Sequence, residues 1–200
     1  MDPPTLLRRQ SPVKYRGPRA LPPRPTRAII APFMDHAHWM QEALAEARLA
    51  AAEGEIPVGA VVVWQGRVIG RGHNRREALH DPTAHAEILA LREAGRVRGG
   101  WRLSGATLYC TLEPCPMCAG ALVNARIDTL VMGVRDPKTG AAGSVYDIVR
   151  SPWLNHRLRV IAGVLADDVQ ALMQTFFDNL RPTDREASGE GPDSEGCRRG

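Results

Sequence analysis

Helix-like and strand-like patterns alternate along residues 35–180, and that alternation limits the architectures open to the chain more than any single motif does. Trp39, Met40, Ala43, Leu44 and Ala47 recur at helical spacing within 35–53, and Gly54 is placed to end that helix. Two β-rich runs follow, 58–64 and 67–73. Gln65-Gly66 between them is a two-residue hairpin signal, so the runs are expected to pair antiparallel. A second helix is expected after Asp81-Pro82-Thr83, capped by Asp or Thr with proline in its first turn, and ending near Gly95. A strand at 107–112, a helix at 116–125 and a strand at 129–134 come next. Beyond an irregular glycine-rich loop at 136–144, a short strand near 159–163 precedes a final helix at 167–180. Helices interleaved with five strands predict a three-layer α/β/α sandwich around one five-stranded mixed sheet.

The flanking segments read differently. Residues 1–33 hold eight of the sixteen prolines, with seven Lys and Arg against one acid and few large apolar residues. Such a segment cannot bury enough surface to offset the entropy of ordering it, so it is expected to be disordered. It is a basic arm for a polyanion, an organelle-targeting segment, or an upstream extension of a domain whose working start is Met34; a helix beginning just after Met34 favours the last, and the scarcity of Ser argues against targeting. Residues 181–200, rich in Gly, Ser and acids, read as a disordered tail. The 34–180 domain carries fifteen basic against sixteen acidic residues, so no general attraction to a polyanion is available to it. No apolar run approaches the roughly 20 residues that span a bilayer. Four cysteines are too few for a disulfide scaffold and no secretory signal is visible, so a reducing, cytoplasmic setting is expected, with thiols free or on metal.

Two short motifs carry chemistry: His85-Ala86-Glu87 and Pro114-Cys115-Pro116-Met117-Cys118, each at an expected helix start. Cys115 and Cys118, three apart on one helical turn, can aim both sulfurs at a single ion, and a helix N-terminus favours the thiolate. His85 completes a three-ligand set, which leaves the fourth tetrahedral position of a zinc ion open to water, as in catalytic zinc sites. Glu87, two residues on, is then a proton shuttle beside that water. A C-x-x-C pair alone also suits a redox couple or half of a structural zinc knuckle. A knuckle needs two more ligands, and neither Cys110, within a strand, nor Cys197, in the tail, is well placed; a redox pair leaves His85 and Glu87 without a role.

The H-x-E and P-C-x-x-C motifs together form the zinc nucleobase deaminase signature. Residues 56–61 (Ile-Pro-Val-Gly-Ala-Val), 81–87 (Asp-Pro-Thr-Ala-His-Ala-Glu), 111–115 (Thr-Leu-Glu-Pro-Cys) and 136–144 (Asp-Pro-Lys-Thr-Gly-Ala-Ala-Gly-Ser) extend the likeness, and over about residues 35–180 the chain resembles bacterial tRNA-specific adenosine deaminases. That resemblance implies a cytidine deaminase-like fold and one Zn2+ per subunit. It implies hydrolytic conversion of the wobble adenosine, position 34 of a tRNA anticodon, to inosine, and a homodimer whose two subunits both shape the RNA surface.

By the same resemblance Asn74 hydrogen-bonds the purine, the backbone amide of Ala86 faces the base, and Ile56, Val58 and Ala84 wall the pocket. A turn asparagine and plain core packing account for the same residues. Asp136, at the entrance to the loop that carries Lys138, resembles a family position close to the nucleic acid. An anticodon loop offers bases that splay out at modest cost, which suits a small domain. Phosphate contacts are expected from a local patch drawn from Arg75, Arg76, Arg98, Arg102, Arg135 and Lys138, though solvated surface charge explains each equally well. His73, His80 and His156 are as readily surface or packing residues as RNA contacts. Phe176 and Phe177 are expected to be core or packing residues, although the family's corresponding aromatic end lies near RNA. Ala119, Ala121, Leu122 and Ala125 would permit close packing of a helix against a second subunit or within one chain. A deaminase of the same fold acting on a free base or nucleoside, and an inactive RNA-binding relative, are the rival readings.

Overall fold

The computed structural model describes residues 35–180. Both segments expected to be disordered, and Cys197 with them, lie outside the described residues. Helix α1 (His36–Ala52) starts at Asp35, whose side chain accepts from the His38 N–H at 3.1 Å and so satisfies one of the amides a helix start leaves unpaired. Strands β1 (Gly59–Trp64) and β2 (Arg67–His73) form the expected antiparallel hairpin. Gln65 and Gly66 both have positive φ, 50° and 71°, the twist that joins two right-twisted strands in two residues.

The next stretch departs from expectation. A four-residue helix α2 (Arg76–Leu79), which no periodicity signals, closes with His80 in the left-handed region. Asp81 then folds a local turn by accepting from the Thr83 N–H and hydroxyl at 2.8 and 2.6 Å, so neither Asp81 nor Thr83 caps the following helix. Helix α3 (Ala86–Arg98) begins later, with His85 at its N-cap in extended backbone, and runs through Gly95 to end at Gly99, φ 67°. The remaining elements are β3 (Thr107–Leu112), α4 (Pro116–Ala125), β4 (Thr129–Val134), β5 (Arg159–Ala162) and α5 (Ala166–Leu180).

The strands form one mixed sheet in the order β2-β1-β3-β4-β5, antiparallel across its first two pairings and parallel across the last two. Side chains alternate between its faces, as the two-residue period of a strand requires. Ala60, Val62, Leu108, Cys110, Leu130 and Met132 meet α3 and α4 on one face; Val61, Val63, Tyr109 and Val131 meet α1 on the other, where Val169 of α5 also buries. This is the expected three-layer sandwich. Ala119 and Leu122 are consumed by the chain's own core. Phe176 and Phe177 are not core residues: α5 fully buries only Val169, Phe177 is 42% exposed, and the two rings meet edge to face at 5.5 Å. Among the described residues, no helix is long and apolar enough to cross a membrane.

Candidate active site

Strand register brings the chemistry to one end of the sheet. Gly59, the first residue of β1, pairs with His73, the last of β2, and its N–H donates to the Thr111 hydroxyl at 3.1 Å; Leu112 of β3 pairs with Val134 of β4. The segments that leave these ends carry Asn74, Cys115 and Asp136. Helix α3 completes the arrangement by lying very close to β2. A Cβ on Gly72 would fall 2.5 Å from the Ala86 carbonyl oxygen, so only glycine lets the first turn of α3, with His85 and Glu87 beside it, settle there.

Cys115 is the N-cap of α4, and Pro116 follows it in the first helical turn. His85 and Cys115 thus both stand at helix starts, and Cys118 comes up one turn along α4. Both sulfurs lie 3.6 Å from His85 Nδ1, and the three donor atoms are within 4.8 Å of one another. A tetrahedral ion with Zn–S near 2.3 Å and Zn–N near 2.0 Å separates sulfur from nitrogen by about 3.5 Å. Two thiols and an imidazole at that spacing fit zinc in both geometry and chemistry. The two sulfurs share protons unequally. Cys115 is pushed down to about 4, first by its hydrogen bond with Cys118 and then by His85, while the same hydrogen bond and burial push Cys118 up. His85 is pushed up, chiefly by Cys115. Glu87 is 3% exposed, and burial pushes its carboxyl above the ordinary range.

These groups open into a cavity of about 180 Å³. Of the residues singled out in the sequence, His85, Glu87, Cys115, Asn74, Arg76, Ala86, Ile56, Val58 and Asp136 line it. Cys118 is buried behind the lining. Ala84 is fully buried and is not among the lining residues, and Lys138 lines a neighbouring groove instead. Leu112, Glu113 and Thr139 also line the cavity; they lie within the motif segments 111–115 and 136–144, but residue type alone gave none of them a role. A second buried acid, Glu55, escapes notice for the same reason. It accepts from Asn74 Nδ2 at 3.0 Å and from the Ala78 N–H at 2.9 Å, so the Asn74 amide is held with its nitrogen toward the protein.

A family model for MafB19-like deaminases matches residues 34–181. A tRNA-specific adenosine deaminase of Bacillus subtilis is 46% identical over 143 residues, covering 72% of this chain and 89% of that protein. The chain belongs to the tRNA-specific adenosine deaminase family. A Haemophilus influenzae member is 49% identical over 143 residues, covering 71% of this chain and 83% of its own. Among solved structures, a deaminase from a study of A-to-I editing by tRNA:A34 deaminases superposes with TM-score 0.66 at 46% identity, covering 68% of this chain and 98% of that one. A guanine deaminase from Nitrosomonas europaea superposes with TM-score 0.62 at 26% identity, covering 73% and 84%.

Beside this cavity the deaminase has a groove of about 850 Å³ that shares Ile56, Leu112 and Asp136 with it and continues past Lys138 to Phe177. Arg135 and Lys138 line that groove, and Arg76 lines the cavity itself. The other basic candidates are engaged elsewhere: Arg75 pairs with Glu53 at 2.9 Å, and Arg98 and Arg102 lie over the rings of Trp64 and Trp101. His73 sits between Glu46 and Glu53, and His156 bonds the Ile127 carbonyl at 2.7 Å; both serve the protein's own structure.

Proposed function

We propose that this chain deaminates adenosine to inosine by hydrolysis at wobble position 34 of tRNA anticodons, with one Zn2+ held by His85, Cys115 and Cys118. The observation that carries the reading is the three-donor cluster at the floor of a small cavity, with the buried carboxyl of Glu87 beside it. A zinc ion there supplies Lewis-acid activation of a water molecule. Glu87, whose carboxyl burial pushes above the ordinary range, would accept one proton of that water and give it to the purine ring nitrogen, then take the second and pass it to the departing amino group. The C6–N bond breaks, ammonia leaves, and the water oxygen stays on C6. Asn74 and the amide of Ala86 orient the base, Ile56 and Val58 exclude water around it, and Asp136 guards the cavity mouth. Lys138 and the adjoining groove meet the neighbouring nucleotides.

The reading extends to a homodimer working in the cytoplasm, where it meets its tRNA. A groove of about 910 Å³ between α3 and α4 supports self-association: Leu91, Leu103, Ala121 and Ala125 line it, and Trp101 at its edge is 58% exposed. Sedimentation of the purified chain tests this; a monomer at assay concentration rules it out. The deciding experiment for function incubates the protein with a tRNA bearing A34 and sequences for A-to-I change. Robust activity on free guanine or cytidine with none on the tRNA reverses the assignment, and a fully active preparation without transition metal refutes the role of zinc.

A further inference from the structure

Glu113 stands between the last residue of β3 and the Pro114-Cys115 turn, two residues from a metal donor. It is 3% exposed and lines the catalytic cavity. Both carboxylate oxygens are saturated from one distant loop. Oε1 accepts from the N–H groups of Ala142 at 2.8 Å and Ser144 at 3.1 Å; Oε2 accepts from the Asp136 N–H at 3.1 Å and from the Ser144 hydroxyl. That loop carries Asp136 and Thr139 to the cavity and Lys138 to the groove beside it. It crosses the carboxylate so closely that a Cβ on Gly140 would lie 2.6 Å from Glu113 Cδ, and the Ala141 N–H also reaches back to the Pro114 carbonyl at 2.8 Å.

We propose that Glu113 is a positioning residue for substrate binding: it clamps the 136–144 loop to the metal-ligand turn and so sets where Asp136, Thr139 and Lys138 stand relative to the reacting base. The proposal rests on the adenosine deaminase reading. The loop has almost no regular pairing of its own, a single bridge between Ala142 and Asp147. Four donors converging on one buried carboxylate take the place of a ladder, and hydrogen bonds to an ionised acceptor are about twice as strong as neutral ones. An amide of the same shape cannot serve all four. Whichever way the side chain of Glu113→Gln turns, its NH2 faces at least one backbone N–H; the better orientation offers the NH2 to the Ser144 hydroxyl, which can rotate to accept, and leaves the Asp136 N–H unpaired.

The test measures zinc content, kcat, KM and the directly determined Kd for an anticodon stem-loop containing A34. For Glu113→Gln, zinc should stay at one per chain and kcat within about threefold, while KM and Kd rise by about tenfold. Ser144→Ala removes one donor and leaves the carboxylate and three amides, so its KM and Kd should rise by about threefold. Unchanged Kd in both variants, or loss of zinc in step with loss of binding, overturns the proposal. If Glu113→Gln does not fold, Ser144→Ala decides alone, and wild-type KM and Kd there sink the clamp. Failure of the wild-type protein to convert the same stem-loop would count against the deaminase reading and not against the clamp.

Discussion

The floor of the catalytic cavity and its walls are held by different means. The floor is aimed from helix starts: His85 and Cys115 are each the N-cap of their own helix, 30 residues apart in sequence, and Cys118 follows one turn behind Cys115. The walls are long-range. Asn74 is oriented by Glu55, 19 residues before it, and the loop of Asp136 by Glu113, 23 to 31 residues before its donors. Metal chemistry tolerates little displacement of its donors, and a helix start gives rigid backbone to aim them from. The cavity walls stand instead on segments outside the strands, and there buried carboxylates supply hydrogen bonds that a sheet or helix would otherwise provide.

Substitutions at the two regions should therefore fail in different ways. The largest effect belongs to the floor: Glu87→Ala should lower kcat by about 10²–10⁴-fold, while metal analysis still finds zinc bound. Retention of more than a tenth of the rate would remove Glu87 from proton transfer. In the wall, Asn74→Ala should keep zinc and lower kcat/KM by about 10–50-fold, roughly the worth of a hydrogen bond in a buried site, with most of the change in KM. A change confined to kcat would place Asn74 with the floor. Gly72→Ala strikes the contact that seats the start of α3 on β2, where the new Cβ would meet the Ala86 oxygen at 2.5 Å. It should cost about 1–3 kcal/mol in denaturant unfolding, and kcat should fall with it because His85 and Glu87 ride on that turn.

The smallest effect is a pH dependence of the wall. Burial would raise the Asp136 carboxyl, but the Thr139 hydroxyl, the amides of Lys138 and Thr139 and the Lys138 charge outweigh it and hold the group below its ordinary 3.8. A depressed folded value means that this carboxylate stabilises the loop above that ordinary value and ceases to do so as the pH falls through the folded one. The stability difference between wild type and Asp136→Ala should thus be full at neutral pH and close only in acid, below 3.8. A gap that widens on acidification would contradict the hydrogen bonding seen around Asp136.

Much of this was legible from residue order. The β2, β3, α4 and β4 boundaries follow from β-rich runs and from Pro116 in the first turn of α4, and the H-x-E and C-x-x-C motifs contain every donor in the cluster. Misplacements arose where side chains compete with the backbone. Asp81 was available as a helix cap or as a turn former, and the turn took it, delaying α3 to Ala86. Phe176 and Phe177 follow a helical period that the fold buries only at Val169, and nothing local says how much of α5 the sheet covers. Lys138 belongs to the right loop but points its part of that loop to the groove.

Glu55 and Glu113 show where reading along the chain stops. Residue type and spacing suffice to specify donors that stand on one helical turn, as Cys115 and Cys118 do, because helix geometry turns sequence separation directly into distance; that His85 meets them from 30 residues away is set by packing. A buried carboxylate finds its partners only when a loop or helix from elsewhere brings donors to it, and those separations are settled by sheet order and helix packing. The amino-acid order alone thus determined the fold class and which side chains form the donor cluster, while their meeting across two helices and the placement of the cavity walls were decided by the tertiary structure, since it alone sets distances between segments that share no local geometry.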